Sequence, residues 1–313
     1  MENWQLEQLR NLPLDIKVKK TEIRIREWYE HFNGDVYVSF SGGKDSTVLL
    51  YLVRRMYPDI EAVFVDTGLE YPEIREFVKL FDNVKWLRPE KNFRNVINDY
   101  GYPIIGKKQA RFVRDLQNPN ENNEATRNLR LTGLNRKGVF CPSQKIPNKW
   151  LPLVDAPFKV SEQCCDIMKK GPAHKYAKES GKYPYIATMT DESALRKKSW
   201  IDNGCNMFGG KIPMSRPMSF WKENDILTYI VDNKLDLAKC YGDIIVKTEA
   251  DKEKIYTTTK EKRTGCMFCM FGVHLEEHPN RFERMKETHP NQYAYCMNQL
   301  GLDQVLSYVN VEH

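Results

Sequence analysis

Short apolar runs alternate with longer segments of mixed polarity along the first part of the chain. Residues 36–40, 60–65 and 84–87 are rich in β-branched and aromatic side chains, a composition that favours buried strands. Residues 47–53, between the first two runs, have the apolar density of a buried helix. Strands separated by helices predict βαβ units. We therefore expect an α/β fold with an open, mostly parallel, doubly wound sheet that binds ligands at the carboxyl ends of its strands.

The remaining pattern predicts further elements and two domains. Residues 14–32 have the spacing of an amphipathic helix, and Ser219 is placed to cap a helix that continues to residue 230. Residues 106–150 form a basic, asparagine-rich insertion, which we expect to be partly a mobile loop. The predicted domains are 1–235, which contains the sheet, and 236–313, a smaller cysteine-bearing C-terminal lobe folded against the ligand edge.

Composition narrows the class of protein. The 313 residues are 41% hydrophobic, and no run of eighteen apolar residues occurs, so we expect no membrane span. The first residues lack the order of a signal peptide, which predicts a cytoplasmic location. A net charge of +6 is compatible with an anionic substrate or a nucleic acid and distinguishes neither. The sequence does not indicate an oligomeric state.

A glycine-rich turn follows the first predicted strand and precedes the first predicted sheet helix. Such a turn directs free backbone N–H groups and the helix dipole at an anion. Glycines allow a phosphate to approach closely, serines add hydroxyl donors, and a lysine adds a compact positive charge. The alternative is a hairpin tip with a solvated lysine. The residues of the turn are Ser41, Gly42, Gly43, Lys44, Asp45 and Ser46.

A second polar turn follows the strand at residues 60–65. Asp66, Thr67 and Gly68 come directly after this strand, so we expect them at the same edge of the sheet as the glycine-rich turn. Their alternative role is a structural turn before the helix that begins at Pro72. For Asp66 the two interpretations are equally supported.

Cysteines mark a second chemical centre. Cys266 and Cys269 form a C-x-x-C pair that can direct two thiolates at one metal, and the adjacent Cys164 and Cys165 would complete four sulfur ligands. This ligand set suits zinc or an iron–sulfur cluster, and spacing alone does not choose between them. Cys205 is an alternative fourth ligand, because two neighbouring cysteines cannot always both turn toward one metal.

Three motifs together resemble the phosphoadenosine phosphosulfate reductase family, a branch of the pyrophosphate-loop ATP pyrophosphatases. They are Ser-Gly-Gly-Lys-Asp-Ser at 41–46, Asp-Thr-Gly-Leu-Glu-Tyr-Pro-Glu at 66–73 and Gly-Tyr-Pro-Ile at 101–104. The resemblance spans roughly residues 30–235. It implies an adenine nucleotide α-hydrolase-like fold in which the 41–46 turn and residues 66–68 bind an adenine nucleotide.

The resemblance also bears on the cysteines and on an arginine. The Cys-Cys and C-x-x-C pattern is similar to that of the adenosine phosphosulfate reductases, which implies a 4Fe-4S cluster, with zinc as the alternative. Residues 185–196 resemble the family's strand and acidic-Ser-x-x-Arg segment, which implies that Arg196 reaches the nucleotide phosphates. Its planar guanidinium suits a phosphate, although a surface arginine at a helix start is the alternative.

The last residues depart from the reductases that this family includes. Those enzymes use a cysteine in a Glu-Cys-Gly-(Ile/Leu)-His setting, whereas residues 306–313 contain none. We therefore expect cleavage of ATP at the α-phosphate, with pyrophosphate release and activation of an acceptor for sulfur transfer. Lys44, Asp45 and Arg196 would be catalytic, and Asp45 would position Mg²⁺.

Two other functions compete with this one. The first is reduction of a preformed sulfonucleotide, and the second is a non-catalytic nucleotide or redox sensor. The expected partners are an adenine nucleotide, a tRNA or DNA acceptor, and a protein that donates sulfur or electrons.

Overall fold

The computed structural model describes residues 2–210, 212–247 and 254–313. Its strands are β1 (Val36–Ser39), β2 (Ala62–Val65), β3 (Val84–Leu87), β4 (Ile104–Ile105), β5 (Tyr183–Ile186), β6 (Asn206–Met207), β7 (Met214–Ser215), β8 (Ile244–Val246), β9 (Tyr256–Thr258) and β10 (Met270–Phe271). Among the described residues, no helix combines the length and the apolar character that crossing a membrane requires.

The helices are of α, 3-10 and π type. The α-helices are α1 (Asn3–Arg10), α2 (Leu14–His31), α3 (Lys44–Met56), α4 (Pro72–Val78), α5 (Phe93–Tyr100), α6 (Lys107–Gln117), α7 (Glu124–Thr132), α8 (Gly171–Ser180), α9 (Ala194–Asn203), α10 (Glu223–Asp232), α11 (Arg281–Thr288), α12 (Pro290–Ala294) and α13 (Leu302–Tyr308). Shorter 3-10 or π segments are Pro142–Gln144, Asn148–Asp155, Asp166–Lys170, Thr190–Glu192, Lys239–Tyr241, Val273–Leu275 and Tyr295–Gln299.

A six-stranded sheet has the order β3-β2-β1-β5-β7-β6. All neighbours are parallel except β6 and β7, which pair antiparallel at one edge. The chain runs outward from β1 to β3 and then crosses to β5 on the other side of β1. This reversal is the signature of a doubly wound sheet, and the predicted fold class is confirmed.

The central strands are apolar because they are enclosed. The first three residues of β1 and of β2 are buried, as expected for parallel strands covered on both faces. The Tyr185 hydroxyl donates a hydrogen bond of 2.7 Å to the Ile25 carbonyl and so links β5 to α2. Trp28 on α2 is also buried, which accounts for the amphipathic pattern that the sequence of this helix shows.

The helix predicted from Ser219 begins four residues later, at Glu223. Ser219 does not cap it, because its hydroxyl donates to the Arg216 carbonyl within a preceding turn. The carboxylate of Asp225 instead accepts the backbone N–H of Lys222. The predicted cap position was therefore wrong.

The chain forms two compact units, each assembled from separate stretches. The first contains residues 1–66, 70–88 and 172–264, and the second contains residues 67–69, 89–171 and 265–313. These units do not follow the expected boundary at residue 235. Strand β4 pairs with β10 within the second unit, whereas in the first unit Asn224 bonds to Tyr256 and Lys254, which ties the β8–β9 hairpin to α10.

The basic insertion is more regular than we expected. Within residues 106–150, α6 and α7 occupy much of the segment. Arg130 is buried, and it donates hydrogen bonds to Asp115 and Gln144 and stacks over the Phe112 ring. Part of the basic charge is thus structural, which a single-sequence pattern does not reveal.

A buried ion pair in the first unit gives a stability prediction. The Lys17 ammonium is 2% exposed and lies 2.5 Å from an Asp225 carboxylate oxygen. Asp225→Ala would leave this cation buried without its carboxylate, so we expect the free energy of unfolding to fall by about 3 kcal/mol in urea denaturation. The double variant Lys17→Met/Asp225→Ala should recover most of the loss. Equal stability of Asp225→Ala and the parent chain would contradict the prediction.

Candidate functional site

The Ser41–Ser46 loop follows β1, as the sequence predicted, and its last three residues form the start of α3. Gly42 has a φ of +69°, and a Cβ placed there would lie 2.7 Å from Val78 Cγ2 and 2.9 Å from Ile74 Cγ2. Glycine is therefore required both by the backbone conformation and by the approach of α4. The turn is held at a fixed distance from this neighbouring helix.

The two loop serines bind each other. The Ser46 hydroxyl donates to the Gly43 carbonyl at 2.9 Å and accepts the Ser41 backbone N–H at 3.1 Å. The two hydroxyl oxygens are 2.9 Å apart. Ser46 is therefore committed to holding the loop in shape, whereas the exposed Ser41 is the better placed of the two to meet a ligand.

Lys44 is buried beneath residues from much later in the chain. Its ammonium donates to the Lys262 carbonyl at 2.7 Å and lies 3.2 Å from Glu223. Its backbone N–H donates to the Tyr241 hydroxyl at 3.1 Å, and that hydroxyl lies 2.7 Å from the Thr264 hydroxyl. The Lys44 amide is at the amino end of α3, so Tyr241 supplies an oxygen where an anion would be favoured.

A cavity of about 130 Å³ opens beside this loop. It lies where the strand order reverses, because the loop follows β1 while Ala187 and Glu192 follow the neighbouring β5. Ligands of doubly wound sheets bind in this crevice. Its lining is Ser41, Gly43, Lys44, Asp45, Ser46, Ala187, Glu192, Tyr241, Arg263 and Thr264.

Opposite charges surround Asp45. Burial raises the pKa of its carboxyl, and the nearby cations of Lys44, Arg263 and Arg196 oppose that rise. One carboxylate oxygen is buried and has no hydrogen-bond partner among the described residues. An oxygen of this kind in a polar cavity suits a hard divalent cation such as Mg²⁺.

Arg196 is close to the loop, although it does not line the cavity. Burial lowers its pKa, with Arg263 adding to the effect and Asp45 opposing it. Its guanidinium pairs with Glu192, whose other oxygen is 3.7 Å from Arg263. Arg196 and Arg263 thus share one carboxylate beside the cavity.

Residues 66–68 are divided between the two compact units. Asp66 belongs to the first unit, follows β2, and accepts a hydrogen bond of 2.9 Å from Arg75. This ion pair explains its burial without a ligand. Thr67 and Gly68 belong to the second unit, where the Thr67 hydroxyl accepts the Leu69 backbone N–H. Their predicted nucleotide contact stays a prediction.

All four cysteines predicted as ligands belong to the second unit. Burial raises the pKa of Cys164, and the charges of Cys266, Cys165 and Cys269 each raise it further. The turn of the C-x-x-C pair is closed by a hydrogen bond of 3.1 Å from the Cys269 N–H to the Cys266 carbonyl. Four thiols suit a sulfur-bound metal centre, and their role as its ligands stays a prediction.

Cys205 has a different environment. It is buried in the first unit, where it accepts a hydrogen bond of 3.4 Å from the Trp200 indole. Burial raises its pKa, and the charges that influence it are those of Arg24 and Arg216 rather than other thiols. Its alternative role as a fourth ligand is not supported by these contacts.

Several cavity residues were not predicted from the sequence. Tyr241, Arg263, Thr264 and Glu192 lie close to the loop only because the chain returns to it. The local signal that could have identified Arg263 is the basic run at residues 260–263, next to the C-x-x-C pair.

Comparison with known proteins supplies independent information. Residues 35–114 match the family model of the phosphoadenosine phosphosulfate reductase domain. An adenosine 5'-phosphosulfate reductase of Anoxybacillus flavithermus is 33% identical over 25% of this chain and 33% of its own length. A phosphoadenosine 5'-phosphosulfate reductase of Serratia proteamaculans is 35% identical over 22% of this chain and 29% of its own length.

Two further similarities cover more of the chain. An uncharacterized protein of Methanocaldococcus jannaschii is 24% identical over 91% of this chain, which spans 54% of that protein. A crystal structure of phosphoadenylyl-sulfate reductase from Candida auris, a phosphate complex, superposes with a TM-score of 0.40 at 11% identity, over 76% of this chain and 90% of that one. The chain thus spans about half or less of the curated relatives named here.

The packing at Gly42 predicts a severe effect of a single methyl group. Gly42→Ala would place Cβ against Ile74 and Val78, and it should lower the free energy of unfolding by about 1 to 3 kcal/mol more than a strained φ alone. Gly181→Ala is the matched control, because Gly181 has a φ of +70° with nothing within 4 Å of an added Cβ. Urea denaturation of both variants measures the difference. Equal losses would show that the contact with α4 is unimportant.

Proposed function

We propose that the chain, whose residues 35–114 match the model of the phosphoadenosine phosphosulfate reductase domain, is a member of that reductase-like family that binds ATP at the Ser41–Ser46 loop and cleaves it at the α-phosphate. The observation that carries this proposal is the cavity at the reversal of strand order, where loop amides, Lys44 and Arg263 surround a buried carboxylate. Cations and N–H groups suit the phosphates, and the carboxylate suits their metal ion.

The chemistry follows from the charge that develops during cleavage. A nucleophilic atom of the acceptor attacks the α-phosphorus, and the bond from this phosphorus to the oxygen that bridges it to the β-phosphorus breaks. Pyrophosphate leaves, and the adenylyl group stays on the acceptor until a sulfur nucleophile displaces AMP. Donors fixed before the reaction stabilise the charge on the departing pyrophosphate. Lys44 and Arg263 would supply that stabilisation, and Arg196 would support it.

Charge balance supports a role for Mg²⁺. Lys44 pairs with Glu223, Arg196 pairs with Glu192, and Arg263 approaches Glu192, so carboxylates already offset the cations. A polyanionic nucleotide would meet these carboxylates unless a divalent cation accompanied it. The unpartnered Asp45 oxygen would hold that cation, which would draw charge from the phosphate oxygens.

The four-cysteine cluster fits a 4Fe-4S group by its donor set. Cys164, Cys165, Cys266 and Cys269 would hold it, and buried Met168, Phe268 and Met270 would limit its contact with water. When bound, such a group supplies electrons or a soft site for sulfur. Zinc, which uses the same ligands, is the alternative.

Reduction of a sulfonucleotide is the second candidate, and the two similar reductases of Anoxybacillus flavithermus and Serratia proteamaculans favour it. The same loop and cations would hold the phosphates of adenosine phosphosulfate or its 3'-phosphorylated form. Attack on the sulfate sulfur requires an accessible thiolate. Cys296 is fully buried, and burial raises its pKa to about 12, so it is a poor nucleophile at neutral pH.

The primary test incubates anaerobically purified protein with Mg²⁺ and ATP and measures AMP and pyrophosphate. Because Lys44 and Arg263 would stabilise the leaving group, we expect Lys44→Ala and Arg263→Ala to lower kcat by about 100-fold each. Lys79→Ala, which removes an exposed lysine from an ion pair with Glu76, is the matched control and should act like the parent chain.

Three results would contradict or redirect the proposal. Pyrophosphate release that persists in Lys44→Ala would indicate a contaminating enzyme. No release with ATP, alone or with tRNA or DNA, combined with sulfite formation from adenosine phosphosulfate, would establish the reductase instead. Nucleotide binding without either product would favour the sensor.

The cysteine cluster gives a separate prediction. Anaerobic protein should contain about four iron and four sulfide per chain, with an absorption band in the visible region. Cys164→Ser and Cys269→Ser should lose most of the iron, because each removes one of four ligands. Cys240→Ser, a buried cysteine in the first unit, should keep it. Stoichiometric zinc without sulfide in the parent chain would replace the cluster with a zinc site.

A further inference from the structure

A basic hairpin in the second unit is not used by the proposed cavity. Leu134 and Phe140 form an antiparallel bridge, and the Asn135 backbone N–H donates to the Val139 carbonyl at 3.0 Å. The Asn135 side-chain oxygen accepts the N–H groups of Lys137 and Val139, which closes the tip. The hairpin is therefore an ordered projection.

Residues 134–150, which we call the hairpin surface, carry charged side chains of positive sign only. They contain no Asp or Glu, and their basic residues are Arg136, Lys137, Lys145 and Lys149. Arg136 and Lys137 are exposed at the tip, and neither has a carboxylate partner among the described residues. A cavity of about 380 Å³ lies between them and Leu129 of α7.

Apolar side chains are exposed among these charges. Val139 and Phe140 are 56% and 57% exposed. The edge of the Phe140 ring lies close over Gly133, where an added Cβ would be only 2.6 Å away. An exposed aromatic ring beside cations without carboxylate partners matches the two requirements of single-stranded nucleic acid, which are neutralisation of phosphates and stacking of an unpaired base.

We propose that the hairpin surface binds single-stranded nucleic acid, with the phosphates on its four cations and a base on Phe140. This inference rests on the proposed function only in that it names the class of acceptor for sulfur transfer. A solvated basic face would explain the charge, but it would not explain the exposed aromatic ring. Duplex nucleic acid would use the cations and leave the ring without a stacking partner.

The test measures fluorescence anisotropy of labelled single-stranded RNA and DNA with the full chain, without nucleotide. With four phosphate contacts, affinity should fall by about 50-fold between 50 and 200 mM salt. Arg136→Gln/Lys137→Gln should weaken binding at low salt and make the salt dependence about half as steep. Phe140→Ala should weaken binding by about 5-fold or more without changing that dependence.

The matched control variants remove the same kinds of side chain from other parts of the protein surface. Lys19→Gln/Lys20→Gln removes two exposed charges from α2, and Leu80→Ala removes an apolar side chain that is 76% exposed. Both should bind like the parent chain, and thermal melting would identify any variant that fails to fold. Preference for RNA or for DNA would identify the source of the strand.

Three outcomes would overturn the inference: no binding, equal losses in the controls, or a duplex that binds as tightly as a single strand. Because the assay contains no ATP, it is independent of α-phosphate cleavage. Binding without cleavage would reject the proposed function alone, and cleavage without binding would reject this inference alone.

Discussion

The close approach of the Ser41–Ser46 loop to α4 is the constraint on which the candidate site depends. Gly42 is packed against Ile74 and Val78 with no room for a side chain, and the loop serines bond to each other across the turn. This arrangement sets the direction of the Lys44 backbone N–H before any ligand arrives. Binding would then cost little ordering of the loop.

The second feature of the site is compensated charge. A pocket lined only by unpaired cations would bind many anions, and its cations would repel one another in the absence of a ligand. Here Glu192 and Glu223 pair with the cations, and Asp45 adds a buried carboxylate. A polyanion that brings its own divalent cation would add less net negative charge to such a site than the bare polyanion would. The pairing therefore favours a metal–nucleotide complex, in line with the proposed substrate.

The local pattern of apolar residues and glycines predicted the sheet strands and the Ser41–Ser46 loop, because each of these features is specified by a short stretch of sequence. Val84–Leu87 was identified to the residue, and the glycines at 42 and 43 marked the turn. The cap at Ser219 was wrong, because a serine two residues after a proline fits both a cap and a tight turn. Only the bond to the Arg216 carbonyl distinguishes them.

Non-local contacts could not be predicted in this way. Tyr241 lies 197 positions from the Lys44 amide that it contacts, and nothing in the residues around either one specifies the pairing. The division of the chain into two compact units could not be predicted either, because it depends on the pairing of β4 with β10. Cysteine spacing carries chemical meaning and therefore predicts a ligand set, whereas the environment of Cys205 became evident only from its contact with Trp200.

The first unit is built from separate stretches of the chain, and this affects the order in which its parts can form while the protein is synthesised. The Lys44 ammonium meets the Lys262 carbonyl 218 positions later, so the cavity cannot be complete until the ribosome has released that segment. By then the whole stretch 89–171 of the second unit has emerged and is available to fold. Closure over such a long separation is slow compared with local helix formation. The nascent chain therefore acquires its strands early and its anion pocket among the last of its features.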